Sequence, residues 1–154
     1  MSRRVLFVCL GNICRSPAAE GVLRAKLVAR GLDAKVTVDS AGTGGWHAGE
    51  LADPRMRAAA EGRGVHLTHR ARPLCREDLD AFDEILVMDD DNLANVERLV
   101  AGRSVRAVVR KFSDFAPPAT HVPDPYYGPL SGFDEVLDLL ARAADGWLTT
   151  LTEA

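Results

Sequence analysis

Four short strand-like runs, three apolar and one alternating, are parted by stretches of helical periodicity and leave this chain few folds to choose from. The runs fall at residues 5–8, 35–38, 85–88 and 105–109, each of strand length and mostly rich in β-branched residues. After the first, Ala19, Val22, Leu23 and Leu27 keep the i, i+3, i+4, i+8 spacing of an amphipathic helix, opening at Ser16-Pro17 and stopping near Gly31. Asp53-Pro54 opens a second helix that fades near Gly62 and Gly64, and Leu93, Val96 and Val100 mark a third. The clearest is the last, where Phe133, Val136, Leu137, Leu140, Ala144, Trp147, Leu148 and Leu151 share one face, with Ser131 placed to cap it. Strands alternating with helices predict an α/β fold, a four-stranded parallel sheet with helices on both faces. A length of 154 residues suits a single doubly wound domain spanning 1–154, and 47% apolar residues supply its core.

In such sheets ligands sit beyond the carboxyl ends of the strands. The first strand run ends there in Cys9-Leu10-Gly11-Asn12-Ile13-Cys14-Arg15-Ser16-Pro17. A cysteine and an arginine thus frame a short loop between a strand and a helix. A helix N-terminus and a guanidinium both favour a thiolate, and Cys9 has both at hand. Leu10, Gly11, Asn12, Ile13 and Cys14 can turn successive N–H groups inward as an anion nest. Gly11 permits close backbone approach, and Asn12 tolerates a left-handed conformation. Arg15 can grip two phosphoryl oxygens at once, which lysine does less well. Ser16 can donate to the sulfur. A lone cysteine at a strand end is more often a small buried hydrophobe; the arginine closing a loop of this length reverses that preference.

Two Asp-Pro pairs compete to supply an acid. Asp53 precedes a helical pattern and suits an N-cap with Pro54 behind it. Asp124 lies in a proline-rich, aromatic segment with no helix to cap, and its neighbours Tyr126 and Tyr127 favour a protonated carboxyl. Asp124 is therefore the expected acid. Asp89, Asp90 and Asp91 follow a strand and read as the acidic first turn of a helix rather than a magnesium site. The four histidines show no zinc-protease spacing. Trp46, in a glycine-rich loop aimed at the active edge, joins Tyr126 and Tyr127 as expected walls of a cleft that suits aryl phosphates. Cys14 is either loop filler or a redox partner for Cys9, and Cys75 is read as structural.

The stretches CLGNICRSP at residues 9–17 and DPYYG at residues 124–128 resemble the low-molecular-weight protein tyrosine phosphatases. DSAGTGGWH from Asp39, THRAR from Thr68 and ILVMD from Ile85 are similar to the same family, so the likeness covers nearly the whole chain in order. The resemblance implies Cys9 as nucleophile, Arg15 as phosphate clamp and Asp124 as general acid and then base. It also implies that Ser16, Ser40 and His69 hold Asn12, and that Cys14 forms a reversible disulfide with Cys9. The expected reaction is hydrolysis of phosphotyrosine or another aryl phosphate through a phosphocysteine, with no metal or cofactor.

Three other readings use the same loop. A thiol-dependent arsenate reductase needs relay cysteines, which in related enzymes follow the third strand; residues 89–96 hold none, and Cys75 precedes it. A phosphocysteine carrier must keep water from its phosphoryl group, and Asp124 would do the opposite. A phosphotyrosine-binding module would not need Cys9, Arg15 and Asp124 together. The net charge of −3 argues against nucleic acid as a partner. No run suits a membrane span or a signal peptide, and an odd three cysteines fit a reducing cytoplasm. The expected partner is a tyrosine-phosphorylated protein or a small aryl phosphate, and the expected state is a monomer.

Overall fold

In the computed structural model, which describes residues 2–152, β1 (Arg3–Cys9), β2 (Val36–Gly42), β3 (Glu84–Val87) and β4 (Val108–Lys111) form one sheet in the order β2-β1-β3-β4. Every neighbouring pair is parallel. The helices are α1 (Arg15–Ala29), α2 (Pro54–Glu61), α3 (Asp78–Ala81), α4 (Asp90–Val100) and α5 (Ser131–Thr152). This is the α/β architecture expected from the alternation. The short α3 and a 3-10 turn at Phe112–Phe115 had no periodic signal. Among the described residues, no helix is long and apolar enough to cross a membrane.

Side chains alternate across a strand, and β1 shows what that does. Val5, Phe7 and Cys9 join one core with α1, α2 and α5, built around Leu23, Leu27, Met56 and Trp147. Leu6 and Val8 join the other, with Leu79 of α3 and Val96 of α4. The parity that buries Phe7 under α1 therefore also turns Cys9 toward the N-terminus of that helix.

Three boundaries differ from the sequence reading. Residues 40–42, beyond the run at 35–38, continue β2, where Ser40, Ala41 and Gly42 pair with Phe7, Val8 and Cys9. β4 begins later than the apolar run at 105–109, because its register is set by pairing Glu84 with Val108 rather than by burial; Val108 is exposed. Ser131 is the first residue of α5 rather than its cap. Asp53 does cap α2, accepting from the N–H of Arg55, with Pro54 behind it.

Candidate active site

The loop between β1 and α1 is fixed from its centre. Asn12 has φ 57°, a left-handed conformation that asparagine tolerates better than most residues. Its side chain is 1% exposed and fully employed. Nδ2 donates to Ser16 Oγ at 2.7 Å and to Ser40 Oγ at 3.0 Å, while Oδ1 accepts from the Arg72 N–H and faces His69 Nε2, both at 3.0 Å. The Arg72 N–H can only donate, so it fixes which end of the amide is oxygen. The Ser40 hydroxyl in turn donates to Oε1 of buried Glu20 at 2.7 Å. His69 Nδ1 lies 3.3 Å from Glu20 and from Asp39, so both ring nitrogens face acceptors. Glu20, Asp39 and His69 also bring ligating atoms within 4.8 Å of one another, and these hydrogen bonds account for that closeness.

Ser16 Oγ accepts from Asn12, and its one hydroxyl proton faces two acceptors, Cys9 Sγ at 3.0 Å and, at a longer 3.4 Å, the Ala41 carbonyl. The Ser16 N–H points at the same sulfur at 3.4 Å. Outside the loop, the N–H groups of Thr43 and Gly44 donate to the Cys9 and Leu10 carbonyls at 2.9 Å. This close approach requires glycine at 42, where a Cβ would stand 2.8 Å from the Leu10 carbonyl.

Arg15 is 3% exposed and held along one edge. Nη1 donates to Asp89 Oδ2 at 2.6 Å and to the Val122 carbonyl at 3.0 Å. Nη2 lies 3.8 Å from Asp124 Oδ2. Burial works against ionising Asp89, but hydrogen bonds from Arg15 and the Asn92 N–H, with the charge of Arg15, outweigh it. The carboxyl sits below the usual range. Burial, reinforced by Asp53 and by Cys9, pushes the Cys14 thiol far up, so of the two loop cysteines Cys14 stays a poor nucleophile. Both cysteines are free and buried.

A cleft of about 300 Å³ opens over the loop, with Cys9 and Arg15 on its floor and Asp124 on its side. Leu10, Gly11, Ile13 and Cys14 line it as well, and Trp46, Tyr126 and Tyr127 wall it. Trp46 folds back onto Gly44, where a Cβ would fall 1.8 Å from the indole. The structure thus brings together Cys9, Arg15 and Asp124, the surrounding loop, the Ser16–Ser40–His69 set on Asn12, and the three aromatics.

A family model described as low molecular weight phosphotyrosine protein phosphatase matches residues 4–154. The chain is 42% identical over 157 residues to a low molecular weight protein-tyrosine-phosphatase of Streptomyces coelicolor, covering 99% of this chain and 96% of the other. It is 43% identical over 151 residues to the low molecular weight phosphotyrosine protein phosphatase of Schizosaccharomyces pombe, covering 96% of each. A crystal structure of a protein tyrosine phosphatase from Entamoeba histolytica, a product state mimic, superposes with a TM-score of 0.91 at 39% identity, covering 99% of this chain and 97% of that one.

The chain belongs to the low molecular weight phosphotyrosine protein phosphatase family.

Several residues of this phosphatase's site escaped the sequence reading. Asp89 caps α4 by accepting from the Asn92 N–H at 2.8 Å, as an acidic first turn should, but its second oxygen holds Arg15 across 74 positions. Glu20 carried a usable signal: it lies i−3 from Leu23 and i−7 from Leu27, so the periodicity itself puts a carboxylate on the buried face of α1. His47 also lines the cleft; it ends the matched stretch DSAGTGGWH but was assigned no role. Cys75, read as structural, is exposed, with its thiol 3.4 Å from Asp78. His66, near His69 in sequence, is exposed beside Glu61 and takes no part in the network. Asp124 has less cover than its aromatic neighbours imply, because Tyr127 is itself 93% exposed.

Proposed function

We propose that this phosphatase hydrolyses phosphotyrosine monoesters, on proteins or as small aryl phosphates, through a phosphocysteine on Cys9. The observation that carries the reading is the placement of one sulfur. Cys9 Sγ is met by the hydroxyl and N–H of Ser16 at 3.0 and 3.4 Å, at the N-terminus of α1, on the floor of a cleft it shares with Arg15 and Asp124.

The ester phosphate enters with its oxygens toward the loop N–H groups and the free edge of Arg15, where the spread charge of a loose transition state is stabilised. The Cys9 thiolate attacks phosphorus in line with the aryl oxygen. An S–P bond forms, the P–O bond breaks, and Asp124 gives its proton to the departing oxygen. Asp124, now a carboxylate, takes a proton from a water that attacks the phosphocysteine. The S–P bond breaks, orthophosphate leaves, and the Ser16 hydroxyl and N–H receive the returning thiolate. The chain's own residues supply every proton transfer and charge contact in this cycle, so it calls on no cofactor. A monomer suffices, since one chain carries all the groups named, and free Cys9 and Cys14 fit a reducing cytoplasm.

The test is hydrolysis of p-nitrophenyl phosphate by wild type and Cys9→Ser. The expected loss in kcat is at least about 10⁴-fold, the scale of nucleophile removal in other covalent enzymes. Comparable rates would remove Cys9 from the reaction. A long-lived phosphoprotein with slow phosphate release would instead favour the carrier.

A further inference from the structure

The proposed cycle requires Asp124 to present a proton at a fixed place, yet Asp124 is exposed and sits outside any helix or strand. Its carboxyl accepts one hydrogen bond, from the Tyr126 N–H to Oδ1 at 3.1 Å, and beyond that meets only the longer ion pair of Oδ2 with Arg15 Nη2 at 3.8 Å. The shorter contact ties the position of the acid to that of Tyr126. The Tyr126 ring is half-buried and lies against the guanidinium of Arg55, with the central carbon 5.2 Å from the ring centroid. The same guanidinium lies 4.8 Å from the centroid of Phe133 on α5.

Arg55 is itself locked. Nε donates to Asp53 Oδ1 at 3.1 Å and Nη2 to Oδ2 at 2.8 Å, a bidentate pair that fixes the plane of the guanidinium. Asp53 in turn donates its N–H to the Ile13 carbonyl at 2.8 Å, inside the phosphate loop. A continuous set of contacts thus runs from the loop that holds the phosphate, through Asp53, Arg55 and Tyr126, to the carboxyl that delivers the proton. Capping α2 requires only that Asp53 accept from the backbone N–H of Arg55, at 2.8 Å. The side-chain fork adds nothing to that cap; its effect is to turn a flat cation onto two rings.

We infer that Arg55 is a positioning residue for proton transfer, setting Asp124 in register with the phosphate loop by clamping Tyr126. The inference rests on the reading of Asp124 as general acid. Arg55 does not line the cleft and acts only through its neighbours. A lysine would keep the charge but lose both the fork and the flat stacking surface.

The experiment measures kcat and KM for p-nitrophenyl phosphate, a good leaving group, and phenyl phosphate, a poor one. The variants are Arg55→Met and Arg55→Lys, each made in the wild type and in Asp124→Asn. Misplacing a catalytic group by a fraction of an ångström costs on the order of tenfold. Arg55→Met is expected to lower kcat/KM, which reads only as far as the departure of the leaving group, by about that factor on phenyl phosphate and to leave it nearly unchanged on p-nitrophenyl phosphate. In the Asp124→Asn background the same substitution is expected to cost nothing further. Arg55→Lys, the gentler change should Arg55→Met fail to fold, is expected to show the same dependence on leaving group at roughly a third of the size. Equal losses in kcat/KM on both substrates, or full losses in both backgrounds, would overturn the clamp. If Asp124→Asn alone lowered kcat/KM equally on both substrates, the acid reading would fail first, and the clamp with it.

Discussion

Cys9, Asn12 and Arg15 are each no more than 3% exposed, whereas Asp124 and Tyr127 across the cleft stand in solvent, Tyr127 at 93%. The phosphate loop is held by side chains from α1, β2 and the segment before α3, most of them buried and bonded to one another. The acid loop is tied at Val122 to Met88 and Arg15, but Asp124 itself is held by one N–H to carboxylate bond, a longer ion pair with Arg15 and the ring contacts of its tyrosine neighbours. The difference follows from what each side does. Oxyanion stabilisation works because the donors are aimed before the substrate arrives, so any slack in the loop would be paid in rate. Proton transfer needs one carboxyl within reach and open to water for the second half of the cycle, which an exposed loop provides.

The sharpest break in that contrast is Arg15→Lys. It keeps the charge, but loses the fork that lets one edge bind Asp89 and Val122 while the other faces the cleft. The expected loss in kcat is about 10²–10³-fold, the scale of removing an oxyanion donor, with the same factor on good and poor leaving groups. A loss confined to poor leaving groups would place Arg15 with the acid instead.

Asn12 comes next. Asn12→Gly keeps the left-handed backbone but strands Ser16, Ser40, His69 and the Arg72 N–H, and is expected to cost about 2–4 kcal/mol of stability in urea unfolding. Asn12→Ala is expected to lose about 1 kcal/mol more, because alanine pays for φ near 57°. If the two variants were equally stable, the backbone conformation would not be part of what asparagine supplies.

The smallest effect is in acid. Asp89 sits below the ordinary carboxyl range despite its burial, through its bonds to Arg15 and the Asn92 N–H. Asp78 does the same: burial opposes its ionisation, and hydrogen bonds from Arg72 and the Cys75 N–H outweigh it. A depressed carboxyl binds fewer protons folded than unfolded, so its contribution is complete above its unfolded value of about 4 and is lost as pH falls through the lower folded value. Melting temperature should therefore drop below about pH 4, and Asp89→Asn should make that drop shallower. An Asp89→Asn curve parallel to wild type would mean the Arg15 pair does not contribute to stability in this range.

Much of this site could be read from the chain because its centre is local in sequence. A strand, a short loop and a helix lie within residues 3–29, and parity along β1 with periodicity along α1 fixes where Cys9 and Ser16 meet. Ser40 and His69 came from matched motifs, and Asp124 from its proline-rich, aromatic setting as well as a motif; none of the three came from periodicity. What stayed hidden were contacts made across the fold. Asp89 reaches Arg15 only because β1 and β3 are neighbours in the sheet, and Arg55 reaches Tyr126 only because α2 and α5 pack side by side. The start of β4 was misread for a related reason: as an edge strand paired with β3 alone, it carries little hydrophobic pattern to betray its register.

The most direct test is rapid acid quench of enzyme turning over an aryl phosphate, followed by peptide mass analysis of the trapped protein. During turnover Cys9 is expected to carry a phosphoryl group that is absent from Cys9→Ser. A phosphoryl group on any other residue, or phosphate released in the first turnover with no adduct formed, would contradict it.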